Sequence, residues 1–287
     1  MPVNVRKPMV LPGGRFLDFS GPALIMAIVN CNEDSFYAPS RSLGDAAVEK
    51  ALAAEKDGAS IIDFGAESTR PGSRYMGAEE ELERLIPVIA SFRKRSNLPV
   101  SADTRKAAVA AAALKAGADI INDISALSDD PGMAAVCAGY GAAVILTHKK
   151  GIPLSMQEDP RYDNLVNELK AFFLAAAGRA IAAGISREKI MVDPGFGFGK
   201  NTENNLEILR RLAEICGTDY PVLAALSRKR FIGEVTGRDV AGGLPGTLAA
   251  NAAAIMNGAE IIRVHDVMEH ADLAKMMFAL KRGAGVN

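Results

Sequence analysis

Short apolar runs alternate with longer amphipathic stretches along the chain, and one motif introduces four of the apolar runs. A glycine and an alanine precede aliphatic residues at 58–62 (GASII), 117–121 (GADII), 141–145 (GAAVI) and 258–262 (GAEII). Each copy follows a helical stretch, so the glycine is expected to end that helix with a positive φ. The aliphatic run after it is typical of a parallel strand that is covered on both faces.

The amphipathic stretches have the period of an α-helix. Residues 79–95 place apolar side chains at the spacing i, i+3, i+4, i+7 and i+10, and residues 163–183 carry a similar stripe. Eight apolar runs qualify as strands, and a helical stretch follows each of them. The predicted strands are residues 24–29, 60–64, 99–103, 119–122, 143–147, 190–193, 222–225 and 260–264.

Eight strand–helix units in 287 residues predict an α/β fold, a (β/α)8 TIM barrel formed by a single domain over residues 1–287. An open doubly wound sheet is the alternative arrangement of the same units. Residues 8–20 could form a short hairpin that caps the floor of the barrel. No linker or low-complexity stretch divides the chain.

Charge and apolar content exclude several classes of protein. The chain has 33 basic and 34 acidic residues, a formal net charge of −1, which argues against nucleic acid or a membrane surface as a partner. No stretch approaches the roughly 18 consecutive apolar residues of a membrane span, and the N-terminus lacks the apolar core of a signal peptide. Three distant cysteines, Cys31, Cys137 and Cys216, suit reduced thiols, so a cytoplasmic location is expected.

Polar or ionisable residues follow nearly every predicted strand. In a barrel of this type the catalytic groups project from the C-terminal ends of the strands, so we expect these residues to share one site. Asp103, Asn122 and Asp193 supply acceptor oxygens. They suit a ligand that is rich in N–H groups, such as an aminated heterocycle.

A second set of residues at the strand ends is cationic or can become so. Arg70, Arg263, His265 and Lys229 suit a di- or oligophosphate, which guanidinium groups bind through paired hydrogen bonds. Asn30 could add a neutral oxygen ligand to a Mg²⁺ that accompanies the phosphates. The sequence has neither the His/Cys spacing of a zinc site nor a P-loop.

Residues 193–200 (DPGFGFGK) form a glycine-rich segment after the sixth predicted strand. Its glycines would let the backbone approach a ligand closely. Phe198 could stack on a flat ring, and we favour a ligand role for this phenylalanine alone rather than for Phe196.

Other residues near the strand ends have a plainer interpretation. We interpret His148 and Cys31 as buried packing residues and His270 as a residue on a helix surface. Asp63 and Glu67 either line the site or pair with neighbouring arginines, and the pattern alone does not decide between these roles.

With these residues assembled, the chain resembles the dihydropteroate synthase family from about residue 25 to residue 267. Any one shared motif would be weak, but six in the same order are specific. The matching segments are residues 58–72 (GASIIDFGAESTRPG), 101–106 (SADTRK), 117–124 (GADIINDI), 193–200 (DPGFGFGK), 227–233 (SRKRFIG) and 261–267 (IIRVHDV).

The resemblance implies roles for individual residues. The catalytic residues would be Arg263, His265, Lys229, Arg70 and Asp34. The pterin pyrophosphate would be bound by Thr69, Asp103, Asn122, Asp193, Lys229, Arg263 and His265. p-Aminobenzoate would contact Phe36, Pro71, Phe198 and Arg230, and Asn30 would be the Mg²⁺ ligand.

The reaction implied by the resemblance joins 6-hydroxymethyl-7,8-dihydropterin pyrophosphate to p-aminobenzoate, which gives 7,8-dihydropteroate and pyrophosphate. Such an enzyme is a transferase of folate biosynthesis, the target of sulfonamides. The resemblance also implies a homodimer that forms through the last helices.

The first loop departs from the pattern of the family. The family reads Asn-Val-Thr-Pro-Asp-Ser-Phe, whereas residues 30–36 read NCNEDSF, with Asn32 and Glu33 in place of Thr and Pro. Loss of the proline frees the backbone, and Glu33 adds an anion near an anionic substrate. Both changes bear on loop closure, rate and sulfonamide affinity.

Three alternatives remain open. A pterin-dependent methyltransferase on the related barrel would explain the acids and Asn122, but not residues 68–72 (STRPG) or the pair Arg263 and His265, which suit a pyrophosphate. The altered first loop would also fit a non-catalytic or weakly active pterin-binding homologue, or a synthase that is insensitive to sulfonamides.

Overall fold

Eight parallel strands form one closed sheet in the computed structural model, which describes residues 6–31, 45–67, 75–151, 160–216 and 219–282. A two-stranded antiparallel pair, β1 (Met9–Val10) and β2 (Phe16–Leu17), precedes them. The strands of the closed sheet are β3 (Leu24–Asn30), β4 (Ile61–Gly65), β5 (Val100–Asp103), β6 (Ile120–Asp123), β7 (Ala143–Thr147), β8 (Ile190–Asp193), β9 (Leu223–Ala224) and β10 (Ile261–Val264).

Helices follow the strands and cover the outside of the sheet. The four glycines of the recurring motif all have a positive φ, as predicted, and at Gly117 this conformation ends a helix at φ +112°. No described helix is both long enough and apolar enough to span a bilayer. The helices are α1 (Asp45–Lys56), α2 (Ala78–Arg93), α3 (Ala107–Ala116), α4 (Met133–Tyr140), α5 (Leu165–Ala182), α6 (Thr202–Arg210), α7 (Leu212–Cys216), α8 (Arg230–Thr236), α9 (Leu244–Met256) and α10 (Val267–Arg282).

The sheet closes on itself, so the predicted barrel is confirmed and the open doubly wound sheet is wrong. Strands β3 to β8 pair in sequence order, and β10 pairs with both β3 and β9. A bridge between Val192 and Val222 joins β8 to β9 and completes the ring. β9 is shorter than the predicted strand over residues 222–225. One reason is that the Val222 N–H donates to the side chain of Glu260, at 3.2 Å, rather than to a strand neighbour.

Alternation of side chains along each strand separates two apolar clusters. Residues such as Ile62 and Phe64 face outward and pack under the helices. The adjacent Ile61 faces inward, with its counterparts Ile120 and Ile261. Two positions further along these strands the inward residue becomes polar. The inward layer at the C-terminal end therefore contains Asp63, Asp103, Asn122, Asp193 and Arg263.

The N-terminal pair of strands covers the opposite end of the barrel, as expected from residues 8–20. Met9 lies opposite Leu17 in the pair, and both join the inward apolar cluster. Arg15 follows the turn and binds the buried Asp119 at 2.6 Å. Asp119 also accepts from Arg93 of α2, at 3.0 Å, so one carboxylate ties the hairpin to the barrel and to a helix.

We expect Arg15→Met to lower the free energy of unfolding by about 1–2 kcal/mol, because it removes a charge-assisted hydrogen bond to a buried carboxylate. Arg95→Met is the matched control. It removes an ion pair with Glu49 in which both side chains are about half exposed, 50% and 51%, and such pairs contribute little. Urea denaturation of both variants tests this, and equal losses would contradict it.

Candidate active site

Arg263 of β10 occupies the centre of the polar layer, between two carboxylates. Its Nε donates to Asp63 Oδ2 at 2.6 Å, and its Nη2 donates to Asp103 Oδ2 at 2.7 Å. Asp63 is fully buried and also receives a hydrogen bond from the Asn122 amide at 3.4 Å. Four side chains from β4, β5, β6 and β10 therefore form one hydrogen-bonded group.

Burial governs the protonation of the acids in this group. It raises the pKa of Asp103 to about 7, with a further contribution from the negative charge of Asp63 and an opposing one from Arg263. Burial also raises the pKa of Asp193, against the Gly195 N–H that donates to it at 2.7 Å. Asp103 can therefore change protonation near neutral pH when a ligand with N–H donors binds.

The glycine-rich segment after β8 packs against the segment after β7. A Cβ at Gly195 would lie 1.9 Å from the His148 carbonyl oxygen, and one at Gly199 would lie 2.2 Å from the carbonyl of Lys150. These close approaches are to the protein's own backbone. At these two positions glycine is therefore required for the chain to pack on itself. The sequence had predicted a different reason, a close approach of the backbone to a ligand.

The buried Lys200 side chain holds the same segment in place through hydrogen bonds. Its ammonium group donates to His148 Nδ1 at 2.9 Å and to the carbonyls of Gly195 and Phe198, each at 3.1 Å. Burial lowers the pKa of Lys200 to about 7 and that of His148 to about 3. His148 also packs edge-on against Phe172, at 4.8 Å between ring centroids. This environment agrees with the interpretation of His148 as a packing residue.

The two phenylalanines of the segment lie in different environments. Phe196 is fully buried and stacks on Phe231, so it belongs to the core. Phe198 is 8% exposed, apart from the main core, and the Lys229 ammonium lies 4.4 Å from its ring centroid. Arg230, one residue later, is largely exposed and pairs with Glu234 at 3.0 Å.

His265 lies near these cations but is not itself one. Burial, together with the positive charges of Arg263 and Arg228, lowers the pKa of His265 to about 4. With this pKa the ring is neutral at pH 7, and in that form it can act on an anion as an N–H donor. His270 is fully buried and bonds to Asn251, so the interpretation of it as a helix-surface residue is wrong. It lies on the face of α10 that packs against α9.

Glu67, directly after β4, is the centre of a charged cluster. It accepts hydrogen bonds from Lys106 at 2.8 Å, from Arg105 at 3.1 Å and from the Met76 backbone N–H at 3.1 Å. Lys106 also binds the fully buried Glu81 of α2 at 2.5 Å. The Glu67 carboxylate therefore joins the end of β4 to Met76, just before α2, and to the two cations after β5.

Comparisons with known proteins agree with this geometry. A model of the pterin-binding enzymes matches residues 26–265. The chain belongs to the pterin-binding enzyme family. It is 43% identical to the dihydropteroate synthase of Escherichia coli K12 over 268 residues, which cover 93% of this chain and 94% of the relative.

Solved structures of similar proteins support the same family. The dihydropteroate synthase of Xanthomonas albilineans with 4-aminobenzoic acid has a TM-score of 0.89 and 39% identity, over 97% of this chain and all of that one. The same enzyme in complex with 7,8-dihydropteroate has a TM-score of 0.87 and 37% identity, over 98% of this chain and all of that one. The resemblance seen in the sequence is therefore confirmed.

Within this pterin-binding enzyme, the structure brings together one part of the predicted site. Asp103, Asn122, Asp193 and Arg263 share the inward polar layer, whereas Arg230 points to the exposed side of α8. Asn30 is exposed at the end of β3. The predicted residues Asp34, Phe36, Thr69, Arg70 and Pro71, and the substituted Asn32 and Glu33, lie outside the described residues.

Several residues of the site were missed or left undecided in the sequence. Asp63 lies two positions after an inward isoleucine, so strand alternation alone could have placed it in the barrel. Glu81 precedes Leu85 by one helical turn, on the apolar face of α2, which was the available signal for a buried charge. Lys200 carried no comparable signal, because its ring acceptor, His148 Nδ1, lies 52 positions earlier in the chain, and its two carbonyl acceptors are backbone atoms of its own segment.

The thiol beside the site is a packing residue, as interpreted. Cys31 is buried, and burial raises its pKa to about 12, so it is protonated at neutral pH. A protonated, buried thiol is a poor nucleophile. Cys137 is buried as well, on the inner face of α4.

We expect Asp103→Asn to gain heat stability relative to the parent protein as pH rises from 5 to about 7, with a difference that then stays constant to pH 8. The pKa of Asp103 is raised to about 7, so folding favours its protonated form, and the parent loses stability as pH rises from the pKa of the unfolded chain towards that value. The asparagine retains an acceptor for Arg263 without a second negative charge. Melting temperatures at several pH values test this.

Asp129→Asn is the matched control for that experiment. Asp129 binds Lys149 and Arg105, which lower its pKa against the effect of burial. Its stabilising contribution is complete above the pKa of the unfolded chain. The control should therefore lose stability by a constant amount between pH 5 and pH 8. A difference for Asp103→Asn that is equally flat would contradict the assignment.

Proposed function

We propose that this pterin-binding enzyme is a dihydropteroate synthase, a transferase of folate biosynthesis. It would join 6-hydroxymethyl-7,8-dihydropterin pyrophosphate to p-aminobenzoate and release pyrophosphate. The observation that carries the proposal is the inward group of Asp63, Asp103, Asn122 and Arg263 in a chain that is similar to such synthases over almost its whole length.

The acids and amide of this group suit the pterin ring. A reduced pterin presents several N–H groups, and Asp103, Asn122 and Asp193 offer acceptor oxygens inside the barrel. The Lys229 ammonium lies beside Asp193, close enough to affect its pKa. In this proposal the raised pKa values of the two acids fall again when the ring donates to them, because hydrogen bonds to a carboxylate favour its charged form.

The cationic groups suit the pyrophosphate. Arg263 has further N–H groups besides those bound to Asp63 and Asp103, and His265 is a neutral donor near the mouth of the barrel. By resemblance, Thr69 and Arg70 would join them. These donors would stabilise the negative charge that develops on the leaving group, which is preorganised electrostatic catalysis.

By resemblance, Asn30 at the end of β3 would supply one neutral oxygen ligand to a magnesium ion. The described residues contain no cluster of three or more His, Cys, Asp or Glu that would form a separate site of protein ligands alone. Mg²⁺ commonly keeps several waters and takes the rest of its ligands from substrate phosphates. When bound, it would offset charge on the pyrophosphate.

The chemical step would exchange one bond for another at the methylene carbon. The C–O bond to pyrophosphate breaks with its electron pair on oxygen, and the amine nitrogen of p-aminobenzoate forms the new C–N bond. The pterin ring, held by Asp103 and Asp193, would stabilise the positive charge on the methylene carbon. The nitrogen then loses a proton, which leaves readily from an anilinium-like group, so no dedicated general base is required.

The second substrate would lie above the pterin, near Phe198. This ring is 8% exposed, lies apart from the main core and has the Lys229 ammonium over its face. Resemblance adds Phe36 and Pro71 to the same subsite, and Asp34 to the loop that closes over it. Arg230 could reach the carboxylate of p-aminobenzoate only after its pair with Glu234 opens.

The other functions considered are less well supported. The relatives described above are synthases, which does not favour a methyltransferase or a binding protein without activity. In a synthase Arg263 and His265 would bind the pyrophosphate. A methyltransferase has no pyrophosphate substrate, so it would leave these two residues without a role.

The purified protein should form dihydropteroate and pyrophosphate only when both substrates and Mg²⁺ are present. Arg263→Lys keeps a cation between Asp63 and Asp103 but loses the guanidinium fork, so turnover should fall on the order of 10²-fold. Arg95→Met, which removes an arginine from the surface, is the control. No product from the parent protein would overturn the proposal, and a loss under about threefold in Arg263→Lys would remove Arg263 from its proposed role, given the cost of one such donor.

We also propose that the enzyme is a cytoplasmic homodimer that pairs through α10. Met268, Met276 and Leu280 lie on one side of this helix with exposed fractions of 56%, 60% and 64%. Exposed apolar side chains in a row commonly mark a protein interface. The free thiols Cys31 and Cys137 suit a reducing compartment.

The double substitution Met276→Glu and Leu280→Glu should convert the dimer to a monomer, because it places two charges in a shared apolar face. Light scattering after gel filtration measures the mass directly. Leu174→Glu is the control, since Leu174 is 74% exposed on α5 and lies outside the proposed face. A monomeric parent, or a dimer that survives the double substitution, would contradict this interface.

A further inference from the structure

Ser227 makes two hydrogen bonds to the same residue. Its Oγ accepts the backbone N–H of His265 at 3.2 Å and lies 2.9 Å from Nδ1 of the His265 ring. Ser227 is 6% exposed, so water does not compete freely for its hydroxyl group. The serine and the histidine come from the ends of neighbouring strands, β9 and β10.

The Ser227 hydroxyl group has one proton to donate, and its acceptor determines which nitrogen of the neutral His265 ring is protonated. The backbone N–H already occupies Oγ as an acceptor, and among the described residues the His265 Nδ1 is the acceptor within reach of the hydroxyl proton. If Nδ1 carried a proton instead, the buried hydroxyl would have a donor without an acceptor, which is costly. Nδ1 is therefore an acceptor, and the proton of the neutral ring is on Nε2.

We propose that Ser227 is a positioning residue that holds His265 as the neutral Nε2–H tautomer, so that its imidazole donates one hydrogen bond to the phosphate oxygens of the leaving group. The identity of the ligand rests on the proposed function. The tautomer does not, because it follows from the contacts between Ser227 and His265 alone. Ionised phosphate oxygens only accept hydrogen bonds, so the other tautomer would present a lone pair to them.

The chain contains two further histidines, and their contacts provide references for both tautomers. His148 Nδ1 faces the Lys200 ammonium, which only donates, so His148 carries its proton on Nε2. His270 Nδ1 faces the Asp266 carbonyl at 2.6 Å, which only accepts, so His270 carries its proton on Nδ1. Its Nε2 then accepts from Asn251 at 3.1 Å.

Long-range ¹H–¹⁵N correlation spectra of histidine-labelled protein at pH 6 test the tautomer. At this pH His265 and His148, with pKa values of about 4 and 3, are neutral, and Lys200, with a pKa of about 7, remains protonated. We expect His265 to show the pattern of His148 and the opposite of His270. Protonated Nδ1 in His265 would overturn the proposal.

Three variants test whether the Ser227 hydroxyl group, rather than a general change in the barrel, sets the tautomer of His265. Ser227→Ala should shift His265 towards a mixture of tautomers and lower kcat about tenfold, the size of one hydrogen bond, with KM for p-aminobenzoate unchanged. Ser227→Thr keeps the hydroxyl and should retain the parent spectrum and rate. Ser101→Ala is the matched control, because the Ser101 hydroxyl is buried in the same barrel without a partner among the described residues. Unchanged His265 signals in Ser227→Ala would overturn the proposal.

A titration with inorganic pyrophosphate and Mg²⁺ keeps this test independent of turnover. In the parent protein, saturating pyrophosphate should move the Nε2 signal of His265 and leave His270 in place. An inactive parent protein would overturn the proposed function alone. Absence of any shift at His265 would overturn its role as a phosphate donor, whether or not the protein is active.

Discussion

The inward-facing positions of a closed parallel barrel constrain the rest of this molecule. Every second side chain of each strand faces the interior, and below the mouth these inward side chains form a buried apolar cluster. In β4 the inward residues are Ile61 and then Asp63, and in β10 they are Ile261 and then Arg263. Met9 and Leu17 of the hairpin complete this inward apolar layer. The inward polar layer of the site lies directly above it, and we call the apolar layer the floor of the site.

This floor explains the electrostatics above it. Charges that rest on an apolar layer lose hydration on one side, which is why burial is the largest cause of the raised pKa values of Asp103 and Asp193. Arg263 offsets part of this cost by bonding to two carboxylates at once. A buried ion group of this kind stabilises a fold weakly at best. Its value is a set of donors and acceptors fixed in place before a substrate arrives.

The loops at the mouth are held by backbone geometry as much as by side chains. Gly195 and Gly199 let one segment pack on the carbonyls of another, and Lys200 closes the contact from within. Arg228 has a φ of +56°, an unfavourable conformation for a bulky residue, and its guanidinium binds Asp266 at 2.6 Å. This turn places Ser227 beside His265 and Lys229 beside Phe198.

The amino-acid sequence is enough to predict the barrel and the acids, amide and arginine inside its mouth. Periodicity and the repeated glycine motif depend on local conformation, and strand ends share one face in any parallel barrel, so Asp103, Asn122, Asp193 and Arg263 could be placed together from the pattern alone. How these groups pair depends on the folded chain. In the structure Arg263 bonds to both Asp63 and Asp103, His270 is buried against Asn251, and Lys200 joins two loops. Pairing and pKa depend on distances of a few ångströms between residues far apart in the chain, and on burial by neighbours that no local pattern contains.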